Sequence, residues 1–266
     1  MTKVALLGGG KMGSALLSGL IGAGWAPGDC SVAEIDPERR RLVEAENPGV
    51  RVNAAAVEAV AGADVVVVAV KPAGVVETLK SAADAIGADA LVLSIAAGVR
   101  IATIEASVPG RPVVRAMPNT PAVVGCGASA IAGGARAAEA HLALAERVLG
   151  AVGTVVRVDE PMLDAVTGLS GSGPAYVFLL AEALMAGGER CGLAPEVARD
   201  LVVQTVLGAA TLLARDPSGP EALRAAVTSP GGTTEAAIRA LQAREVPEAV
   251  ADAVEVATRR SRELGT

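Results

Sequence analysis

Val4-Ala5-Leu6-Leu7-Gly8-Gly9-Gly10-Lys11-Met12-Gly13 stands at the head of the chain and governs how the rest is read. An apolar run ends abruptly in three glycines, and residues 12–23 then have helical composition. The glycines match G-x-G-x-x-G: Gly8 permits a tight turn, Gly10 lets the backbone approach a pyrophosphate, and Gly13 lets a helix lie close on the strand. Free amides at the start of such a helix face an anion. The spacing therefore predicts a strand, a phosphate-binding turn and a helix, in that order.

Outward from this unit, β-rich and helical runs alternate. Strands are expected at 3–7, 31–35, 64–70, 90–95, 112–116, near 129–131 and at 154–158, with a charged helix from Pro37. Residues 64–70 contain five valines. Uninterrupted apolar strands separated by helices indicate a parallel sheet covered on both faces. After about Asp159 the β signal stops, and helices broken by Gly and Pro fill the remainder. The expected class is α/β: an N-terminal Rossmann-like doubly wound sheet over residues 1–158, then an all-α domain over 159–266. Two of its helices, around 175–186 and 197–214, are apolar on nearly every face. Such faces need cover, so an oligomer is expected in which the helical part packs against its partner's.

Composition removes other classes. The 266 residues carry 23 Lys plus Arg against 29 Asp plus Glu, a formal charge of -6, with no like-charge block. With one Trp, one Tyr and one Phe besides, nucleic-acid binding is not expected. A single histidine, His141, precludes a paired-His metal site; its helical context reads as surface. Cys30, Cys126 and Cys191 show no CxxC spacing and read as core or loop thiols in a reducing compartment. No signal peptide is legible at the start. The longest uncharged stretch, 116–135, is interrupted by Pro118, Pro121 and glycines, and 201–214 is too short to cross a membrane. A soluble cytoplasmic protein is expected.

Glu34 follows Gly13 by about 20 residues, where an acid grips a ribose 2′-hydroxyl and favours NAD. Arg39, Arg40 and Arg41 follow closely and could instead neutralise a 2′-phosphate and favour NADP. The sequence leaves both open.

Further motifs close later strands: Val70-Lys71-Pro72, Ser94-Ile95-Ala96-Ala97-Gly98-Val99 and Arg115-Ala116-Met117-Pro118-Asn119-Thr120-Pro121-Ala122. Open α/β sheets bind ligands at such ends. The helical part adds Gly168-Leu169-Ser170-Gly171-Ser172-Gly173-Pro174-Ala175-Tyr176 and Thr228-Ser229-Pro230-Gly231-Gly232-Thr233-Thr234. Together, in this order, these resemble the Δ1-pyrroline-5-carboxylate reductase family from first strand to last helix. The resemblance implies an NAD(P)H-dependent imine reductase that forms L-proline, with a Rossmann domain and a helical dimerisation domain whose dimers often assemble into a ring. It implies cofactor contacts at Leu7, Gly8, Gly9, Gly10, Lys11 and Met12 for the pyrophosphate, and at Asn53 for the adenosine ribose. For the nicotinamide half it implies Ala69, Val70, Lys71, Pro72, Ala96, Ala97 and Gly98. Substrate contacts are implied at Glu160, Ser229, Gly232, Thr233 and Thr234. Glu34 and Asp36 depart from the polar or Ser-type residues that some relatives carry in that loop, and Ala226 replaces a polar cofactor contact of some relatives. The family's usual NADPH preference is therefore open here, and either NADP(H) or NAD(H) is expected.

A cyclic imine bearing a carboxylate demands little acid–base machinery, because its nitrogen is basic and the cofactor carries the hydride chemistry. A neutral hydroxyl that bonds this nitrogen suffices to orient the ring, and Thr234 is the candidate. Pro230-Gly231-Gly232 leads into an apparent helix whose first amides, with the Ser229 hydroxyl, form an anion nest. The same segment also reads as a turn and N-cap, and Gly171-Ser172-Gly173-Pro174 as a turn opening a helix. Tyr176 reads as packing within an apolar helix. A 3-hydroxyacid dehydrogenase would place Lys and Asn where this chain has Val177 and Leu180. A cofactor-sensing module without turnover would not need the segment 229–234.

Overall fold

The computed structural model describes residues 2–265. They fall into two compact units. One runs through Ser172 and resumes at Val256; the other is Gly173–Glu255.

The first unit is built on eight strands: β1 (Val4–Leu7), β2 (Cys30–Ala33), β3 (Arg51–Asn53), β4 (Val65–Val68), β5 (Leu91–Ser94), β6 (Val113–Met117), β7 (Gly127–Gly133) and β8 (Gly153–Arg157). They form one sheet in the order β3-β2-β1-β4-β5-β6-β7-β8. The order reverses between β1 and β4, which pair in parallel from Val4↔Val65 to Leu7↔Val68. Such a reversal opens a crevice at the strands' carboxyl ends.

Helices cover both faces: α1 (Lys11–Gly22), α2 (Pro37–Glu46), α3 (Ala56–Val60), α4 (Val75–Ala82), α5 (Ile101–Ser107) and α6 (Glu139–Leu149). The four valines of β4 explain why both faces need cover. Alternate side chains point to opposite sides. Val66 and Val68 join a core with Leu79, Ile104 and Val113, while Val65 and Val67 join one with Leu16, Leu20 and Val148. Each valine is fully buried and contributes about 2 kcal/mol relative to exposure.

Two features depart from the sequence expectation. β3 was not foreseen: it is a three-residue edge strand with Arg51 exposed, too short and too polar to show a pattern. β7 runs antiparallel to β6, pairing Met117 with Ala130 and Val114 with Gly133. A parallel return needs a crossover of a dozen residues or more, and the link 118–126 is shorter. The chain crosses over through α6 before β8, which pairs in parallel with β7.

The unit does not end with the sheet. After β8 come α7 (Leu163–Val166) and a π turn at Thr167–Gly171. Leu163 is fully buried in the first core. Ser261, near the end of the chain, donates to Asp164 Oδ1 at 2.6 Å. The 158/159 boundary expected from the end of the β signal thus differs from the packing division at 172/173, because these turns pack on the sheet.

The second unit holds α8 (Gly173–Arg190), α9 (Pro195–Arg215), α10 (Gly219–Ala226), α11 (Thr233–Gln242) and the first part of α12 (Val246–Leu264). Phe178, Leu179, Leu180, Leu207 and Leu212 are each more than half exposed, as the all-round apolar pattern of α8 and α9 foretold. The apolar run 201–214, judged too short for a membrane span, lies within a longer helix. α9 extends through polar ends, and both it and the helical stretch Glu160–Arg190 have span-like length and hydropathy.

His141 is half-buried rather than a plain surface residue. Its Nδ1 accepts the amide of Ala138 at 3.0 Å at the start of α6. Cys30 is buried, and burial pushes its thiol pKa up; Cys126 and Cys191 are exposed.

Candidate functional site

A cleft of about 760 Å³ opens at the carboxyl ends of β1, β2 and β4, where the strand order reverses. Its geometry follows from the glycine turn. Gly8 has φ +109°, and a Cβ there would lie 2.8 Å from Ala69 O. A Cβ on Gly13 would collide with Gly8 O. Both positions require glycine, the first for its backbone conformation and the second for the closeness of α1 to the strand. Gly10 caps α1 without a side-chain bond, leaving the first helical amides for an anion. Ser14 Oγ donates to Gly9 O at 3.0 Å and steadies the turn.

Glu34 directly follows β2, beside this turn. Its Oε2 accepts the Gly9 amide at 2.8 Å and its Oε1 the Asp36 amide at 3.0 Å. The Glu34 amide donates to Asn53 O, tying β3 to the same point. Asp36 caps α2, accepting the amides of Glu38 and Arg39. The three arginines separate. Arg40 donates to the carbonyls of Glu34 and Ile35 at 2.7 and 2.8 Å. Arg39 lines the cleft, and Arg41 is exposed and outside its lining.

Of the expected cofactor residues, Leu7, Gly8, Gly10, Glu34, Arg39, Ala69, Val70 and Lys71 line the cleft. Gly9, Lys11 and Met12 sit in the same turn and the first turn of α1, outside its lining. Asn53 closes β3, and Pro72 opens a short 3₁₀ turn after Lys71. Ala96, Ala97 and Gly98 follow β5, with Gly98 at φ +76°, and do not line the cleft. Sequence reasoning missed Gly74, Glu77, Thr78 and Ser81, which line the opposite wall from α4 and the turn before it. Their i, i+3, i+4, i+7 spacing was the available signal.

Glu160 lies in the same unit, away from that cleft's lining. Its Oε1 accepts the Ile101 amide at 2.7 Å and Arg115 Nη1 at 3.1 Å. Arg115 is buried on β6, so Glu160 neutralises a buried cation and caps the first turn of α5. Asn119 is also committed: Nδ2 donates to Ser170 O at 3.0 Å, and Oδ1 accepts the Ala128 amide at 2.8 Å. The glycine-rich segment before α8 forms the π turn, closed by Ser172 N–H to Thr167 O at 2.8 Å. A Cβ on Gly171 would come within 2.6 Å of Met117 Cε. Part of this motif therefore serves packing; Pro174 then sits in the first turn of α8, as expected.

In the second unit, Thr228 Oγ1 donates to Arg224 O at the end of α10. Gly231 is left-handed at φ +72°, and Gly232 donates to Ser229 O at 3.0 Å. A Cβ on Gly232 would meet Ser229 Oγ at 2.5 Å, so the turn brings that hydroxyl against the start of α11. Thr233 and Thr234 are its first residues, with no side-chain cap on Gly232. Sequence reading did not foresee that Glu235 Oε2 accepts the Gly231 amide at 2.7 Å, while its Oε1 meets Arg239 at 3.2 Å. An amide next to the expected nest is thus held by the protein's own carboxylate.

Comparison with known proteins converges on one family. The model for pyrroline-5-carboxylate reductase dimerisation matches residues 160–264, and that for coenzyme F420-dependent NADP oxidoreductases matches 3–98. The pyrroline-5-carboxylate reductase of Mycobacterium tuberculosis is 43% identical, over 99% of this chain and 97% of that protein. The structure of the Coxiella burnetii pyrroline-5-carboxylate reductase superposes with a TM-score of 0.95 at 36% identity, covering 100% of this chain and 99% of that one. The Plasmodium falciparum pyrroline carboxylate reductase, solved with NADP bound, has a TM-score of 0.86 at 27% identity, covering 100% and 98%. The helical part is accordingly a dimerisation domain, and the sheet unit has the NAD(P)-dependent oxidoreductase fold. The chain belongs to the pyrroline-5-carboxylate reductase family.

Proposed function

We propose that the chain reduces the cyclic imine 1-pyrroline-5-carboxylate to L-proline, the last step of proline biosynthesis, using a reduced nicotinamide dinucleotide. The observation that carries this reading is the presence of two features, each within its own unit, in a chain of this family. One is a glycine-cradled cleft at the sheet's switch point; the other is the intact Ser229–Thr234 turn opening α11. The cleft fits the cofactor: its volume lies in the range of small-molecule sites, and Gly10 lines it with no side chain, where a Cβ would meet only Arg39 Nη1 at 3.5 Å.

The bound dinucleotide supplies hydride to the imine carbon. The protein's own residues bind and orient. Leu7 to Met12 hold the pyrophosphate with backbone amides, and Glu34, Arg39 and Asn53 serve the adenosine ribose. Ala69 to Pro72, with Ala96 to Gly98, border the nicotinamide half. The Ser229 hydroxyl and the free amides of Thr233 and Thr234 receive the substrate carboxylate, alongside the Gly232 backbone whose own amide closes the turn onto Ser229 O. The Thr234 hydroxyl bonds the ring nitrogen and steadies it as C=N becomes C–N and nitrogen retains its proton. Because the ring is held in place, positioning supplies much of the acceleration. Glu160 secures the buried Arg115 on β6.

Residues 1–158 form the dinucleotide domain in this reading, and 159–266 the dimerisation and substrate domain. The exposed apolar residues of α8 and α9 are covered by a partner copy rather than by lipid, and dimers assemble further into a ring. The protein works in solution in the cytoplasm. Incubation with racemic pyrroline-5-carboxylate and reduced cofactor tests the reading: loss of reduced-nicotinamide absorbance with matching proline supports it. No proline with either NADH or NADPH refutes it.

A further inference from the structure

We infer that Glu34 selects a dinucleotide whose ribose carries a free 2′-hydroxyl, so that this enzyme binds NADH in preference to NADPH. The inference rests on the cofactor reading above and deepens it.

The Glu34 carboxylate is held rather than free. Amides from both sides, Gly9 at 2.8 Å and Asp36 at 3.0 Å, fix its two oxygens. A carboxylate oxygen has more than one acceptor direction, so each retains capacity for a ribose hydroxyl. A carboxylate fixed in this way loses little conformational freedom when it binds. It stands at the end of β2, where an acid in this fold reads the 2′-hydroxyl.

The surrounding charges work against a 2′-phosphate. Asp36 lines the same part of the cleft, so a phosphate there would meet two carboxylates. Of the three consecutive arginines, Arg39 alone lines the cleft. Arg40 is spent on the carbonyls of Glu34 and Ile35, where it braces the β2–α2 loop. Arg41 is exposed outside the lining. The arginine run that could have neutralised a phosphate thus contributes one guanidinium against two carboxylates.

Fluorescence titration of the full-length enzyme with NADH and with NADPH, without imine, tests this directly. The wild type is expected to bind NADH about tenfold or more tighter, as for a hydrogen bond to a charged group. Glu34→Gln, which keeps an acceptor for Gly9 and removes the charge, is expected to narrow that ratio about tenfold, chiefly through tighter NADPH binding. Arg39→Ala should shift the ratio less. A measurement without mutation accompanies these. Adenosine 5′-monophosphate should displace bound NADH at lower concentration than adenosine 2′,5′-bisphosphate. Equal or tighter NADPH binding by the wild type, an unchanged ratio in Glu34→Gln, or the reverse order of displacement overturns the inference. If NADH binds preferentially but the imine is not reduced, the substrate reading fails and this one stands. If the imine is reduced and NADPH binds more tightly, the reverse holds.

Discussion

The amide of Gly9 donates to Glu34 Oε2 at 2.8 Å. This bond joins the glycine turn after β1 to the acid that follows β2, so the phosphate cradle and the ribose-reading position form one hydrogen-bonded piece. Ser14 closes the turn from the other side through Gly9 O. The cleft is therefore preformed rather than assembled from loose loops.

The turn should tolerate no Cβ at Gly8. Alanine there would hold φ +109° and press on Ala69 O, at a cost of about 1–3 kcal/mol for the backbone strain alone. Gly8→Ala is expected to lower urea-unfolding stability by at least that amount and to weaken dinucleotide binding about tenfold or more. Wild-type affinity in a stable Gly8→Ala protein would show that the cleft is not the cofactor site.

Arg115 depends on Glu160. Removing the carboxylate leaves a buried guanidinium without its ionic partner, at about 3 kcal/mol. Glu160→Ala should lose stability of this order in chemical denaturation, and Glu160→Gln, which keeps an acceptor for the Ile101 amide, should lose less. A Glu160→Ala enzyme of unchanged stability with a raised KM for the imine would instead make Glu160 a direct substrate contact.

Glu235 occupies the Gly231 amide with a carboxylate where the substrate's own carboxylate is proposed to bind nearby. Glu235→Gln removes the competing charge and should lower KM for the imine a few-fold, as expected for a partly screened like charge. Steady-state kinetics at low and high salt read this, the difference shrinking as salt rises. A KM raised at both ionic strengths would mean that Glu235 helps build the nest rather than compete with it.

Arg157 bridges Glu139 on α6 at 2.7 Å and Glu146 at 2.6 Å. Hydrogen bonding to Arg157 holds both glutamate carboxyls below their ordinary value of 4.5. Their contribution to stability is present above that value and is lost as the pH falls through the lower folded values. The groups are solvent-exposed, so the effect is small. The thermal-midpoint difference between wild type and Arg157→Ala should be largest near neutral pH and shrink on acidification below 4.5. A difference that grows in acid would contradict the assignment.

Much of the fold was legible because its strands are uniformly apolar. The valines of β4 and the apolar-to-glycine break at Leu7-Gly8 leave little alternative to a buried parallel strand followed by a turn. β3 was illegible because Arg51-Val52-Asn53 lies at an edge and carries no face pattern. The direction of β7 depends on the length of the preceding link, which the strand's own residues do not encode. At the site, G-x-G-x-x-G announced the cradle. The sequence did not reveal how the three arginines divide their roles, since adjacent helical residues point in different directions. Nor did it reveal that Asn119 ties Ser170 to Ala128, a pairing of residues distant in the chain.

The most direct measurement is a crystal structure of the enzyme with L-proline and the oxidised dinucleotide. The expected result is the proline carboxylate on the amides of Thr233 and Thr234 and the Ser229 hydroxyl, beside the Gly232 backbone, with the ring nitrogen on Thr234 Oγ1. Proline bound elsewhere, with that turn vacant, would contradict it.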